Sequence, residues 1–495
     1  MIEASAVQIV DATRHATVEL TAADEERMAA SAVTLERAVK DGCPVYGLTR
    51  GFGPLGEFAA DDDSGEHGLN LINHLCAGHG PELAFGSTRL MLRLRLEGMK
   101  RGYSGVHPDR WRSLAAIYNV GFVPVVPSRG SVSASGDLVP LAHAARAFSG
   151  QGEAWVPAGQ GHVRMPARQA LARLRRRPVQ WEARDALAFV NGSSTSLAVA
   201  LENHALIRRL AWIASAITGW IVELLGASGE PYDEAVVAAR GGFPGHARAA
   251  GWIRQGLTER RTAAEARSLQ ERYSLRCAPQ VIGSVLDHLG STEALLVREA
   301  RGCTDNPVVA SDAVWHAGNF HAVNVGLVAD LQAVLVHQLA FLAERQIAVL
   351  VEPGANGGLP PLLAARPGAT SGLAGLQLAA SAMLAEIRQR SGPATTTPVP
   401  TNLSNQDIVP VALIGALRVA EQLDLAGRIV GAVAVAAGQA QQLLGHGPSS
   451  AWTSRIIRIS PRLHADRPLA DEVCRARDVL FAEAAESIAG TGPWP

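Results

Sequence analysis

A mainly α fold, with a mixed N-terminal part leading into a bundle of long helices, is what three features of the sequence predict. From about residue 185 onward, Ala/Leu/Val-rich segments at 195–226, 282–300, 321–352, 370–390 and 406–445 carry few charges, as helices buried on most faces do. Before that point the texture is mixed, with short helical patterns, a stretch at 121–141 rich in Pro, Gly and Ser, and two strand-like runs. No repeat of fixed period appears, so the long helices form one bundle rather than a solenoid. The chain has 495 residues, a length that allows a sizeable core. We place a boundary near 205, giving an N-terminal domain at 1–205 and a long-helix domain at 206–495.

Taken in order, residues 1 to about 20 read as a short extended segment. Thr21-Ala22-Ala23-Asp24 has the acid three residues after the hydroxyl, an N-terminal capping pattern. The helix it opens runs through Met28 and Leu35 to Val39 and stops before Gly42. Gly47, Gly51, Gly53 and Gly56 then impose a loop. Helical segments follow from about Gly68 to Cys76 and from Thr88 to Arg101. Glu153 to Val156 and His162 to Met165 read as two strands around Gly159-Gln160-Gly161. Among the long segments, Pro353 to Gly372 is interrupted by Gly and Pro, and Ser391 to Asn405 by Thr and Pro.

Composition narrows the function classes. Hydrophobic residues at 47% and charged residues at 18% fit a soluble globular enzyme. Lys plus Arg (45) nearly balances Asp plus Glu (46), so no global charge recruits nucleic acid or an anionic membrane. Cys43, Cys76, Cys277, Cys303 and Cys474 are scattered and form no CxxC, which suggests neither a disulfide framework nor a zinc site and makes a reducing cytoplasm the natural setting. Met1-Ile2-Glu3-Ala4 lacks the basic start and apolar core of a signal peptide. Leu210 to Val222, between Arg209 and Glu223, is too short to span a bilayer.

The most informative segment is Gly130-Ser131-Val132-Ser133-Ala134-Ser135-Gly136-Asp137-Leu138-Val139-Pro140-Leu141-Ala142-His143. Alone, Ser-Gly-Asp is a turn, with Asp137 able to cap a following helix. The whole segment, however, resembles the signature of the histidine, phenylalanine and tyrosine ammonia-lyases. In that family Ala-Ser-Gly cyclises with loss of water to 4-methylideneimidazol-5-one (MIO), an electrophile that ordinary side chains do not supply. The resemblance implies MIO from Ala134, Ser135 and Gly136, no metal, and the helical architecture shared with the fumarase and aspartase group. The residue types suit it. Gly136 leaves its nitrogen unhindered for attack on the Ala134 carbonyl and tolerates a strained backbone, and Ser135 has a hydroxyl to lose.

Other segments match the same family in order. Val45-Tyr46-Gly47-Leu48-Thr49-Arg50-Gly51-Phe52-Gly53 resembles the loop that carries a catalytic tyrosine; Tyr46 would remove the weakly acidic β-proton, with Gly53 lining the pocket. A lone Tyr in such a loop is usually structural, and Tyr46 serves as a base only if neighbouring positive charge or dipoles lower its pKa. Asn191-Gly192-Ser193-Ser194 is similar to the family's Asn-Gly-Thr element, which implies Asn191 beside the cofactor and the substrate amine. Gln270-Glu271-Arg272-Tyr273-Ser274-Leu275-Arg276 matches a further signature. It implies that Arg276 clamps the substrate carboxylate as a two-pronged donor, with Tyr273 and Gln270 in the same pocket. Thr304-Asp305-Asn306-Pro307, Gly318-Asn319-Phe320-His321, Asn405-Gln406-Asp407 and Asp466-Arg467-Pro468-Leu469 extend the agreement. They imply Asn306, Phe320, Asn405 and Gln406, together with Leu138, around the cofactor. The family also implies a homotetramer whose sites draw on several subunits.

The family reads the substrate ring through a helix that is here Asn70-Leu71-Ile72-Asn73-His74-Leu75-Cys76-Ala77-Gly78. Anchoring on Ala77-Gly78 places His74-Leu75 in the register of tyrosine-preferring members. A slip of one residue would turn the side chain by about 100°. His74 is then able to hydrogen-bond a phenol, unless it is a satisfied core histidine, and Gln406 also fits a phenylalanine or tyrosine substrate better than an imidazole. The expected reaction is elimination of ammonia from L-tyrosine to give p-coumarate.

Histidine and phenylalanine ammonia-lyases and a tyrosine aminomutase that re-adds ammonia at the β-carbon stay open. So does a different class, a non-catalytic homologue, although Ser135, Tyr46 and Arg276 are all retained. Among the departures from the family pattern, Arg50 replaces the usual Thr. It either pairs with a nearby acid, depresses the Tyr46 pKa, or meets an acidic group on the substrate. Ser133 replaces a common Gly.

Overall fold

The computed structural model of the chain describes residues 5–13, 17–60 and 63–489. It separates into two compact units, neither continuous in sequence: residues 1–202, 293–330 and 393–417 form the first, and 203–292, 331–392 and 418–495 the second. The boundary near 205 thus corresponds to the first crossing only. The chain returns to the first unit twice, with each division falling within or beside a long helix.

In the first unit, α1 spans Ala6–Thr13, where the sequence suggests extended chain. Eight residues are too few for a period to show, and the helix start is secured from outside, Ala6 N–H donating to the Glu293 carboxylate at 2.7 Å. Residues 1–4 and 14–16 of that expected segment, including the stretch read for a signal peptide, lie outside the described residues. The next helix, α2 (Ala22–Lys40), begins as its capping pattern predicts: Asp24 N–H donates to Thr21 Oγ1 at 3.2 Å, and Thr21 N–H donates to the Asp24 carboxylate at 3.0 Å. Helix α3 (Ser64–Leu75) starts earlier than Gly68 because the Asp63 carboxylate accepts from Gly65 and Glu66 N–H, each at 2.9 Å. Helices α4 (Phe85–Met99), α5 (Pro108–Asn119), α6 (Leu138–Phe148), α7 (Ala167–Arg173) and α8 (Ala183–Val190) follow.

The strands of this unit are short. β1 (His79–Glu82) pairs antiparallel with β3 (Pro127–Arg129), and β2 (Val123–Pro124) joins β4 (Glu153–Ala158) and β5 (Gly161–Pro166) in an antiparallel sheet of order β2-β4-β5. The β4–β5 hairpin is the one expected around Gly159-Gln160-Gly161. The strands within 121–141 are not apparent from so Pro- and Gly-rich a sequence. A last hairpin pairs β6 (Val308–Ala310) with β7 (Ala313–Trp315).

The long segments are helical as expected: α9 (Ser194–Leu224), α13 (Ala278–Arg301), α14 (Val323–Val351), α15 (Ala374–Gln389) and α16 (Ala412–Leu444). Shorter ones complete the chain: α10 (Glu234–Ala239), α11 (Pro244–Gln255), α12 (Tyr273–Arg276), α17 (Ala451–Ile459) and α18 (Ala470–Ile488). The core of the second unit is one cluster that includes Trp220, Ile253, Leu286, Leu339, Ile347, Val430 and Leu480. Each such side chain contributes about 1.5–3 kcal/mol by leaving water. Among the described residues, Ala183–Leu224, Val323–Val351 and Ala412–Leu444 are long and apolar enough to cross a bilayer by length and composition. Leu210 to Val222, too short on its own, is part of the first of these. The most apolar windows are 89%, 61% and 83% buried in the protein, which leaves α14 the most open of the three.

One buried acid makes the first unit pH-sensitive. Asp185, on α8, is pushed up to about 6 by burial, against the nearby Arg110, Arg184 and His107; Arg110 Nε lies 3.3 Å from its carboxylate. An unfolded Asp ionises near pH 4, so between about pH 4 and pH 6 the folded state binds the extra proton. Stability therefore falls as pH rises through that window, by about 3 kcal/mol in all. Thermal or urea melts across it should show Asp185→Asn flatter than the parent by about this amount. Identical slopes for the two proteins would overturn the assignment.

Candidate active site

The segment 130–138 connects β3 to α6. Ser133 takes a φ of +56° and Gly136 one of +71°, a left-handed curl that brings Ala134 and Gly136 into a single backbone bridge. A Cβ on Gly136 would overlap the Gly192 backbone, so only glycine fits there whatever the cost of its φ. Both oxygens of Ser135 are held. Asn191 Nδ2 donates to the Ser135 carbonyl at 2.8 Å, and Gln406 Nε2 donates to Ser135 Oγ at 2.9 Å. Asn191 Oδ1 is buried without a partner, an acceptor still to be satisfied.

Asp137 does not cap the helix that follows it, as the sequence suggests. Its side chain makes no capping bond to α6. The carboxylate accepts instead from the hydroxyls of Ser131 (2.9 Å) and Ser133 (2.8 Å) and from Ser196 N–H (2.6 Å) in the first turn of α9. It thus caps a helix distant in sequence and ties the tripeptide loop to it. Burial pushes the Asp137 carboxyl up from its usual value against the Ser196 amide and the two serine hydroxyls. Leu138, half-buried, is the first residue of α6. Two helix N-termini, those of α6 and α9, therefore begin beside the tripeptide, where N–H groups favour negative charge.

Asn191 ends α8, and the turn Asn191–Ser193 is gripped from several sides. Arg95 Nη1 on α4 donates to the Asn191 carbonyl at 2.9 Å, Ser193 N–H to Thr304 Oγ1 at 3.4 Å, and Ser193 Oγ to Glu299 at 2.7 Å. Burial pushes the Glu299 carboxyl up, with the Ser193 hydroxyl opposing.

Tyr46 sits in a loop closed by Ala60 N–H to the Thr49 carbonyl and Gly51 N–H to the Phe58 carbonyl, each at 3.1 Å. Its phenol oxygen accepts from Gly53 N–H at 2.7 Å, and its own N–H donates to His316 Nε2 at 3.1 Å. Gly53 has a φ of +56°, and a Cβ there would lie 2.7 Å from Asn402 Nδ2. The expected lowering of the Tyr46 pKa is not found: burial pushes it above its usual value, and the Gly53 amide only partly opposes this. Among the described residues no acid pairs with Arg50 and no hydrogen bond joins it to the phenol; Arg50 Nη1 donates to the Glu57 carbonyl at 3.0 Å.

His74 and Leu75 form the last turn of α3. His74 is exposed rather than a core histidine, and its Nδ1 lies 3.0 Å from the Asn70 carbonyl. A carbonyl only accepts, so Nδ1 carries the proton and Nε2 of the neutral ring is left as an acceptor. Asn306 is buried, its Oδ1 accepting from Ala317 N–H at 2.8 Å. Phe320 is half-buried in the turn before α14, and Asn405 is exposed beside Gln406, in a turn closed by Asn405 N–H to the Asn402 carbonyl at 3.1 Å. Gln270, Tyr273 and Arg276 belong to the second unit. Tyr273 is 71% exposed, the Arg276 guanidinium stacks 4.8 Å over its ring, and Arg276 Nε is buried without a partner.

The first unit thus brings Ser135, Asn191 and Gln406 into one hydrogen-bonded group, with Gly136 packed on Gly192, and Tyr46 and Gly53 into another. Sequence reasoning missed the supports: Arg95, Glu299, Thr304, His316 and the helix-tying role of Asp137. The one signal was Leu92-Arg93-Leu94-Arg95-Leu96, where an arginine enters a stretch whose leucines are all buried.

Known proteins resemble this chain over most of its length. The family model described as aromatic amino acid lyase matches residues 4–459. A tyrosine ammonia-lyase of Cereibacter sphaeroides is 36% identical over 481 residues, covering 90% of each chain. Among solved structures, a tyrosine aminomutase from Streptomyces globisporus superposes with a TM-score of 0.90 at 28% identity, covering 99% of this chain and 98% of that one. A histidine ammonia-lyase from Trypanosoma cruzi superposes with a TM-score of 0.87 at 25% identity, covering 98% and 93%.

Proposed function

The chain belongs to the aromatic amino acid lyase family and is a carbon–nitrogen lyase; from that premise we propose that it eliminates ammonia from L-tyrosine to give p-coumarate, using MIO formed from Ala134-Ser135-Gly136. The observation that carries this reading is the grip of Asn191 and Gln406 on the two oxygens of Ser135. The residues fit the group: Gly136 packs where only a glycine does, and Asn191 Oδ1 remains an unpartnered acceptor facing no other duty. When formed, MIO supplies the electrophile that turns the amino group into a leaving group.

The chain's own side chains do the rest. Tyr46 Oη, as phenolate, takes the proton from Cβ. The released electron pair becomes the Cα=Cβ bond, and the Cα–N bond breaks to release ammonia. Asn191 Oδ1 accepts from the substrate amine. Arg276, whose donors are not spent within its own unit, clamps the carboxylate. His74 Nε2 accepts from the phenol, and Leu75 packs on the ring. By the family resemblance, Asn306, Phe320, Asn405 and Leu138 of the first unit and Tyr273 and Gln270 of the second are further candidates for substrate contact.

We infer a homotetramer as the working form. Val323, Leu327, Val334 and Phe341 on α14 are all exposed, and their spacing puts them within about 40° of one another around the helix. That is a continuous apolar stripe on the most open of the three bilayer-length helices, and burial against a second copy relieves it.

A substrate panel tests the reading. L-Tyrosine, L-phenylalanine and L-histidine are followed separately by product absorbance, with chromatography for β-amino acids, because the similar structures include an aminomutase. Tyrosine alone should give an unsaturated acid. His74→Phe should shift the ratio of kcat/KM for tyrosine over phenylalanine toward phenylalanine by about 10²-fold, since a site built for a hydroxyl rejects its absence strongly. A ratio unmoved by that substitution removes His74 from recognition, and a β-amino acid as the main product replaces the lyase with a mutase.

A further inference from the structure

Below the Asn191–Gly192 turn lies a charge cluster that the reaction itself does not use. Arg95 is buried, with its side chain 1% exposed. Of its donors, Nη1 reaches the Asn191 carbonyl at 2.9 Å and Thr304 Oγ1 at 3.5 Å, while Nε and Nη2 make no hydrogen bond. Its counter-charge, Asp305, stands 3.9 Å from Nη2 and is shared with Arg184, which bonds it directly. A cation so placed is costly to bury, and one held by a shared acid and two unspent donors is not a stability device. A buried ionic group of this kind is explained by what it fixes.

What it fixes is a backbone. A Cβ on Gly192 would overlap Arg95 Nη1, so the guanidinium lies directly against that residue. On its other side Gly192 touches Gly136, and the Gly192 carbonyl accepts from Asp137 N–H at 2.8 Å. The chain of contact therefore runs from Arg95 through Asn191–Gly192 to Ser135–Gly136. We infer that Arg95 is a positioning residue for cyclisation of Ala134-Ser135-Gly136, holding the surface on which the ring closes. This rests on the MIO reading given above. In that closure the Gly136 nitrogen bonds to the Ala134 carbonyl carbon. The Ala134 oxygen leaves as water with the protons of the Gly136 and Ser135 nitrogens, and the Ser135 hydroxyl leaves as a second water with the Ser135 Cα proton. Arg95 touches none of these atoms. It sets the backbone that must hold Gly136 within reach of Ala134, and displacement by a fraction of a bond length is felt strongly in such intramolecular steps.

The test reads mass as well as turnover. Trypsin releases Gly130–Arg146, which contains the tripeptide and no internal Lys or Arg. In soluble wild-type protein this peptide should be lighter by two waters. In soluble Arg95→Met it should be mainly at the uncyclised mass, with kcat down about 10²-fold. Arg95→Lys, which keeps the charge but loses the planar guanidinium whose Nη1 donates to the Asn191 carbonyl, should show roughly a tenfold loss in kcat and a mixed peptide, at little changed KM. Thr304→Val, which removes only the hydroxyl between Arg95 and Ser193, should move both readouts the same way if neither arginine variant is soluble. Fully cyclised peptide with wild-type kcat in any soluble variant overturns the role of Arg95 alone. An uncyclised peptide in the wild type overturns the MIO reading instead.

Discussion

Ser135→Ala should fold as the parent does and release no unsaturated acid from tyrosine at any enzyme concentration that shows turnover in the parent. The two halves of that expectation come from different parts of the geometry. For the fold, relative to the uncyclised chain the substitution removes one hydroxyl and one hydrogen bond, that from Gln406 Nε2 at 2.9 Å. Such a bond is worth about 1 kcal/mol, against a total stability of about 5–15 kcal/mol. The Asn191 bond to the Ser135 carbonyl, the Gly136 packing against Gly192 and the Asp137 network all survive, so circular dichroism and melting should change little. For the chemistry, no other group in the site replaces what is lost. Tyr46 and Arg276 are nucleophile, base or anion binder by type, and none of these turns an amino group into a leaving group. A rate loss confined to KM would mean that Ser135 only binds, and unchanged turnover would sink the MIO reading altogether.

The periodic and punctuated parts of this chain were legible in its sequence, and the tertiary parts were not. The Thr21–Asp24 cap and the β4–β5 hairpin rest on contacts a few residues apart, so their residue types announce them. Asp137 shows the limit. Residue type identifies it as a cap, but its partner, Ser196 N–H, is 59 residues away, and no local rule chooses between the helix that follows and one brought in by folding. Arg95 is hidden for the same reason, since its helix reads as a run of leucines with solvated arginines until packing buries the last of them. Candidate site residues came from the family resemblance residue by residue, and the structure adds which of them hold one another: Asn191 and Gln406 meet on Ser135, whereas Tyr46 meets Gly53. Residue type and register leave His74 either a core histidine or a reader of the substrate ring. Its exposure and its Nδ1 contact with Asn70 remove the first option, because a core histidine spends both nitrogens inside the protein.

Tyr46→Phe should cost kcat about 10²–10⁴-fold, the usual worth of a positioned general base, while leaving tyrosine binding nearly intact. The ring stays, with its edge-on contact to Phe52 at 6.3 Å, and only the Gly53 N–H loses its acceptor, at about 1 kcal/mol. The pH dependence makes the test sharper. Burial raises the Tyr46 pKa above its usual value, and the Gly53 amide, which favours the phenolate, does not cancel it. In the free chain the reactive phenolate is therefore the minor form near neutrality, and its fraction grows about tenfold per pH unit below the pKa. The kcat/KM of the parent should accordingly rise with pH through the alkaline range, and the residual activity of Tyr46→Phe should stay flat across it. Bound substrate changes the balance: an amino acid brings a positively charged nitrogen into the same pocket, and opposite charge close by favours the phenolate. The pH limb in kcat, which reports the enzyme–substrate complex, should lie below the limb in kcat/KM, which reports the free enzyme. If both limbs coincide and persist in Tyr46→Phe, the titrating base is another group, and the phenol that Gly53 holds serves only to shape the loop.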